Sequence, residues 1–243
     1  KDSEFNFTYD GAMESFEHSL SRLGLDKIDI LYLHDPDNHP DHFEEAKKGA
    51  LKALIKLRDE GVVKAIGCGM NQNEMLIEFA KEGCFDVFLL AGRYTLLDQT
   101  SLDQLIPICK TNHISLVLGG VFNSGILINP SPDTYFDYSK LDKDWLKNLS
   151  DSLVRIPKPY ESADFWLDKA YGLKNACDKF NLPLIQAAIQ FPYRNEIVSS
   201  CLLGMTSQSQ VNENFNSYSG KIENEFWNYL KQKKLIHSDA PII

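Results

Sequence analysis

Apolar and polar positions in this chain alternate between two rhythms. In MESFEHSLSRLGLDK, Phe16, Leu20 and Leu23 fall at helical spacing, and Gly24 stops the run. The next stretch, IDILYLHDPD, changes period: Ile28, Ile30, Tyr32 and Leu33 make a short apolar run that predicts a buried parallel strand ending at His34 and Asp35. The rhythm then repeats. A helix is predicted over 42–60, with Ala50, Leu51, Leu54 and Leu57 on one face and Gly61 at its end. Strands are predicted at 63–70 (VKAIGCGM), 85–92 (FDVFLLAG) and 114–120 (ISLVLGG), separated by helices near 73–82 and 101–112. A polar, proline-punctuated stretch from about 129 to 160 interrupts the order. Two helices, 162–180 and 184–194, and a last strand, 196–204 (EIVSSCLLG), complete it. Short buried strands joined by single helices imply right-handed β/α/β crossovers, a parallel sheet and an α/β fold. A loop as long as 129–160 is expected to be functional.

Composition narrows the function classes. A chain of 243 residues with 43% hydrophobic content can bury one substantial core, so 1–243 is read as one domain. A net charge of −9 spread along the chain disfavours nucleic acid or an anionic membrane as partner and favours a small soluble substrate. No run reaches membrane-spanning length and KDSEFNFTYDG has no signal-peptide core, so a soluble protein is expected. Cys68, Cys84, Cys109, Cys177 and Cys201 stand singly, without a CxxC pair, as free thiols of a reducing cytoplasm do.

In α/β folds chemistry collects at the C-terminal edge of the sheet, where His34 and Asp35 are predicted to lie. From strand position alone, His34 reads equally as a structural and as a functional histidine. HDPDNHPDH also offers Asp35, Asp37, His39, Asp41 and His42, but with neither zinc nor calcium-loop spacing. It is read as a solvated loop with Asp41 as the N-cap of the next helix, and no metal is expected.

Five segments, SFEHSLSRLGLDKIDILYLHDPD, GVVKAIGCGMNQ, FLLAGRYTLLDQ, ISLVLGGVFNSGIL and AAIQFPYRNEIVSSCLLGMTSQSQVNENF, occur in the order seen in the aldo-keto reductases. They resemble most the branch that holds aldose and pyridoxal dehydrogenases, over about residues 8–218. The resemblance implies a (β/α)8 TIM barrel in which the His34 strand is the fourth. Only five strands are countable, so the chain is expected to hold β4–β8, with the first three units, about 90 residues at roughly 30 per unit, lying upstream of Lys1. It also implies hydride transfer between a nicotinamide and an aldose, aldehyde or alcohol. A tyrosine assisted by lysine and aspartate handles the proton, and these three residues too are expected upstream, leaving the chain inactive alone. His34 matches the histidine that orients the substrate oxygen.

The same resemblance assigns the cofactor. Gly119, Gly120, Phe122 and Ser124 fall in the loop that wraps the pyrophosphate, although GGxxxxG by itself is as readable as a tight turn, and Gly119 stands where many relatives carry a stacking tyrosine. Gly204, Met205, Thr206, Gln210, Glu213 and Asn214 fall where relatives hold the adenosine half, in a segment that also reads as an ordinary capped helix. NADP-preferring members place Lys and Arg at the positions of Gly204 and Gln210, so NAD is expected over NADP. Asn71 is the candidate for the nicotinamide carboxamide. Tyr94 is read either as stacking on the nicotinamide or as packing. Met70, Trp145 and Trp166 are candidates for lining the substrate, with 129–160 lying over the site.

Two rival readings have consequences of their own. Without its tyrosine, lysine and aspartate the chain would be a cofactor-binding or interaction module. An aldolase or isomerase barrel would need a lysine or a metal cluster at a strand end, and none of the five predicted strands ends in lysine.

Overall fold

The computed structural model describes residues 5–37, 39–132 and 163–242. Five strands, β1 (Ile30–His34), β2 (Ala65–Met70), β3 (Val87–Ala91), β4 (Ser115–Gly119) and β5 (Val198–Cys201), form one sheet in the order β1-β2-β3-β4-β5, every neighbouring pair parallel. Each lies within its sequence-predicted run. α1 (Tyr9–Leu23) precedes them; between them come α2 (Pro40–Lys48), α3 (Ala50–Asp59), α4 (Asn73–Ala80), α5 (Leu105–Thr111), α6 (Ala163–Lys179) and α7 (Leu184–Gln190); and α8 (Gln208–Ser219) and α9 (Asn224–Gln232) follow β5.

The strand period of two sorts the side chains. Leu33, Ile66, Cys68, Met70, Phe88, Leu90, Leu116 and Leu118 are all buried and belong to one core with Leu51 and Leu54 of α3, Leu76 and Phe79 of α4, and Leu105 and Cys109 of α5. Burying each of the larger of these contributes about 1.5–3 kcal/mol. The opposite face is more open. There, one register row crosses the whole sheet as His34, Gly69, Leu89, Val117 and Ser200. Gly67 lies one pair below Gly69, and a Cβ on it would sit 2.5 Å from the Val87 carbonyl and 2.6 Å from the Tyr32 ring. The missing side chain is what lets Tyr32 lie across β2.

Two local expectations change. The single helix over 42–60 is two helices, broken at Gly49, because the Phe7 carbonyl enters there and accepts from Ala50 N at 2.8 Å. A Cβ at Gly49 would meet that carbonyl at 2.6 Å, so the close backbone approach requires glycine. Asp41 is not the N-cap of α2. His39 is, its Nδ1 accepting from Asp41 N at 3.3 Å, and Pro40 takes the first helical position that suits its fixed φ.

At the N-terminal edge, Arg58 Nη1 donates to the Cys84 carbonyl and to Asp86 Oδ2 at 3.0 Å, and the same oxygen accepts from Ile66 N at 2.8 Å. This cluster pins β2 to β3 on the side away from His34. The five cysteines are free thiols. No helix among the described residues is long and apolar enough to cross a membrane.

Candidate active site

His34 closes β1 with its side chain 78% exposed, on the open face of the sheet. The chain then turns at Asp35, whose φ of 46° lies in the left-handed region and whose amide donates to the Gly69 carbonyl at 3.0 Å. That bond continues the β1–β2 ladder one residue past the strand and sets Asp35 Oδ2 3.5 Å from His34 Nε2. Burial pushes the Asp35 carboxyl above the ordinary range, the His34 ring opposes the shift, and Asp37 reinforces it. In the same turn, Asp37 Oδ2 accepts from Gln72 Nε2 at 2.6 Å. Gln72 is buried, and its Oε1 has no hydrogen-bond partner among the described residues. Asn71 beside it is exposed.

Beyond β3, the segment 93–101 folds into a buried polar knot. Ser101 Oγ donates to the Arg93 carbonyl at 2.8 Å, Thr95 Oγ1 accepts from Asp98 N at 3.0 Å, and Gln99 Nε2 donates to the Thr95 and Leu96 carbonyls. Beyond β4, residues 120–127 form a tight loop in which Gly120, Asn123, Ser124 and Gly125 all have positive φ. Gly120 and Ser124 are exposed. Beyond β5, Gly204, Met205, Thr206 and Gln210 are exposed. Ser207 caps α8 by accepting from Gln210 N at 3.3 Å, while Gln210 Oε1 accepts from Thr206 N at 2.7 Å. This reciprocal arrangement follows the capping-box pattern, with the backward bond shifted one residue.

The structure therefore brings His34, Asn71, Gly119, Gly120, Phe122, Ser124 and Gly204–Gln210 to the C-terminal side of one sheet. On α8, Glu213 is exposed and Asn214 is buried. Two assignments do not survive as made. Met70 is 2% exposed and belongs to the helix-side core, because strand parity gives the open face to Gly69 and the covered face to Met70. Tyr94 is fully buried, its ring 5.6 Å from that of Phe191 and its hydroxyl accepting from Asn195 Nδ2 at 3.4 Å. Of its two readings, packing is the one its surroundings allow. Trp166 is 7% exposed on α6, edge-on to Phe165, with Lys169 Nζ 5.6 Å from its ring centre. Trp145 and nearly all of 129–160 lie outside the described residues.

Proton chemistry limits what these groups do. Burial pushes the Tyr94 phenol up to about 12, and it also raises Tyr32 and Tyr193. Each is held neutral near neutral pH, the opposite of a phenol tuned for proton transfer. His34 has the exposure and position to hydrogen-bond a substrate oxygen. Among the described residues no three His, Cys, Asp or Glu side chains are grouped to hold a metal.

Sequence reasoning missed Gln72, Thr95, Asn123 and Asn195, which are buried polar residues tying the strand-end loops together. Gln72, Thr95 and Asn123 each adjoin a position named above, and an asparagine beside a glycine-rich turn signals tolerance of positive φ.

The aldo/keto reductase family model matches residues 1–234. Pyridoxal 4-dehydrogenase of Microbacterium luteolum is 36% identical over 240 residues, covering 96% of this chain and 64% of that protein. D-threo-aldose 1-dehydrogenase of a Pseudomonas species is 36% identical over 235 residues, with the same 96% and 64% coverage. The chain thus spans 64% of the length of these relatives. Among solved structures, an aldo-keto reductase of Bacillus halodurans in its holo form superposes with a TM-score of 0.71 at 18% identity, covering 97% of this chain and 70% of that one. These matches overturn the expectation of a fragment limited to the fourth to eighth barrel units, since the family model is met from residue 1 and the solved fold takes in 97% of the chain. That expectation came from counting apolar runs, which takes in only strands marked by a run of buried side chains. By that match along its length, the chain belongs to the aldo/keto reductase family.

Proposed function

We propose that this protein is an oxidoreductase that moves a hydride between a nicotinamide cofactor and an aldose, aldehyde or alcohol, at the C-terminal edge of the sheet around His34. The observation that carries the reading is the exposed His34 on the open face, sharing its edge with the loop 119–125 and the segment Gly204–Gln210.

The residues present suit a dinucleotide. Gly119 and Gly120 offer backbone without side chains, and a Cβ on Gly204 would meet nothing within 4 Å. Ser124 and Thr206 add exposed hydroxyls. The unpaired Gln72 Oε1 and the exposed Asn71 supply the acceptor and donor that a carboxamide needs. Phe122, Met205, Glu213 and Asn214 complete the cofactor-binding set in this reading. When bound, the nicotinamide supplies or accepts the hydride. His34 holds the substrate oxygen by a hydrogen bond, with Asp35 Oδ2 3.5 Å from its Nε2.

We infer NAD over NADP because Gly204 and Gln210 carry no charge to meet a 2′-phosphate. The names of the relatives support a sugar or pyridoxal-like substrate, and Trp166 with Trp145 is its candidate lining. Five cysteines without a disulfide support a reducing, cytoplasmic setting. The test is an absorbance assay of NAD reduction by the full-length protein with L-fucose, L-galactose, D-arabinose and pyridoxal. Turnover of at least one is expected; no turnover of any, with NAD or NADP, sinks the reading.

A further inference from the structure

The loop assigned to the cofactor is held from beneath by one side chain. Asn123 is 2% exposed and makes two hydrogen bonds to the segment that follows β3: its Oδ1 accepts from Thr95 Oγ1 at 2.6 Å, and its Nδ2 donates to the Gly92 carbonyl at 3.1 Å. Thr95 is fully buried, and its hydroxyl also accepts from Leu97 N at 3.2 Å and Asp98 N at 3.0 Å. The hydroxyl proton is therefore committed to Asn123, while its lone pairs hold the polar knot after β3.

The backbone at this point is one that L-residues rarely adopt. Asn123 has φ 45°, Ser124 57° and Gly125 101°. Two consecutive non-glycine residues in the left-handed region persist only where their surroundings over-determine them. Here the loop's own bonds, Asn123 N to the Gly120 carbonyl at 2.8 Å and Gly125 N to the Phe122 carbonyl at 3.0 Å, close the turns, while the Asn123 side chain fixes how those turns sit on the sheet. The outcome is that Gly120 and Ser124 face outward while Asn123 points inward.

We infer that Asn123, through Thr95, is a positioning residue for dinucleotide binding: it sets the outward edge of the 120–125 loop against which the pyrophosphate is held. The inference rests on the cofactor reading above and adds residues that reading does not contain. It couples two strand ends, so the loop after β3 acts on cofactor affinity without touching the cofactor.

The test compares NADH with reduced nicotinamide mononucleotide, which lacks the pyrophosphate, by fluorescence titration of the wild type, Asn123→Gly, Thr95→Val and Thr95→Ser, with thermal unfolding recorded for each. Asn123→Gly keeps the left-handed backbone accessible and removes both side-chain bonds. The expected result is about tenfold weaker NADH binding in Asn123→Gly, a change within about twofold for the mononucleotide, and near wild-type behaviour in Thr95→Ser, which retains the hydroxyl. Should Thr95→Val fail to fold, Asn123→Gly and Thr95→Ser carry the comparison. Unchanged NADH affinity in Asn123→Gly overturns the inference, as does equal weakening of both ligands in step with lost stability, which would mark a packing role. A wild type that binds neither NADH nor NADPH overturns the cofactor reading and this inference with it.

Discussion

Gln72 donates its side-chain amide to Asp37 at 2.6 Å, joining the turn that carries His34 to the turn that carries Asn71. The two residues are 35 apart in the chain, and Gln72 makes this bond from a buried position. Beyond the Asp35–Gly69 bond that extends the ladder by one residue, this side-chain bond is a second tie between the two turns.

Gln72→Leu removes that bond. A hydrogen bond to a carboxylate contributes about 1.5–3 kcal/mol, and the leucine spares the unpaired Oε1, so the net loss of stability should fall at or below the lower end of that range. The larger effect is expected on KM for the carbonyl substrate, which should rise more than kcat falls because the His34 turn is no longer held. Thermal unfolding and steady-state kinetics together check this, and a variant whose KM matches the wild type would show that the bond does not position the turn.

In the proposed NAD reading, cofactor preference turns on Gln210. Its amide oxygen accepts from Thr206 N at 2.7 Å, so the residue at present closes the start of α8. Gln210→Arg gives up that acceptor at an exposed position where water replaces it, and it adds a cation able to form a charge-assisted bond of about 1.5–3 kcal/mol with a 2′-phosphate. The ratio of NADPH to NADH affinity should rise accordingly. A wild type that already prefers NADPH would refute the charge argument.

Lys169 ties stability to pH. Burial lowers its ammonium to about 8, and Asp98 only partly opposes this. Because the folded pKa lies below the unfolded one, the unfolded chain binds more protons between them, and stability rises with pH from about 8 toward the ordinary lysine range. Lys169→Met should therefore be more stable than the wild type near pH 7, with the gap closing as pH rises through that window. Chemical denaturation at several pH values gives the gap directly; a constant gap would mean that the amine is not desolvated.

The strands were legible because each is a run of four to six residues buried on the helix side, as in Ile66, Cys68, Phe88 and Leu90. What such runs hide is parity. VKAIGCGM is apolar or small at nearly every position, so nothing in it says that Gly69 faces the open side and Met70 the core. Tyr94 was ambiguous for a related reason, since its burial depends on Phe191 and Asn195 about a hundred residues away. The break at Gly49 depends on a carbonyl from residue 7, and the Asn123–Thr95 bond on a β/α crossover. Local periodicity carries neither. His34 was legible because its place at a strand end follows from the run before it.

The central claim is that this strand end is where the substrate oxygen is held. It is tested most directly by kcat and kcat/KM of His34→Ala against the wild type, on whichever aldose or aldehyde the wild type turns over. The side chain is largely exposed, so unfolding should be unchanged, while loss of a hydrogen bond at the reacting oxygen should cost about 2–4 kcal/mol, tens- to thousands-fold in rate. A variant with wild-type kcat and kcat/KM would contradict the account.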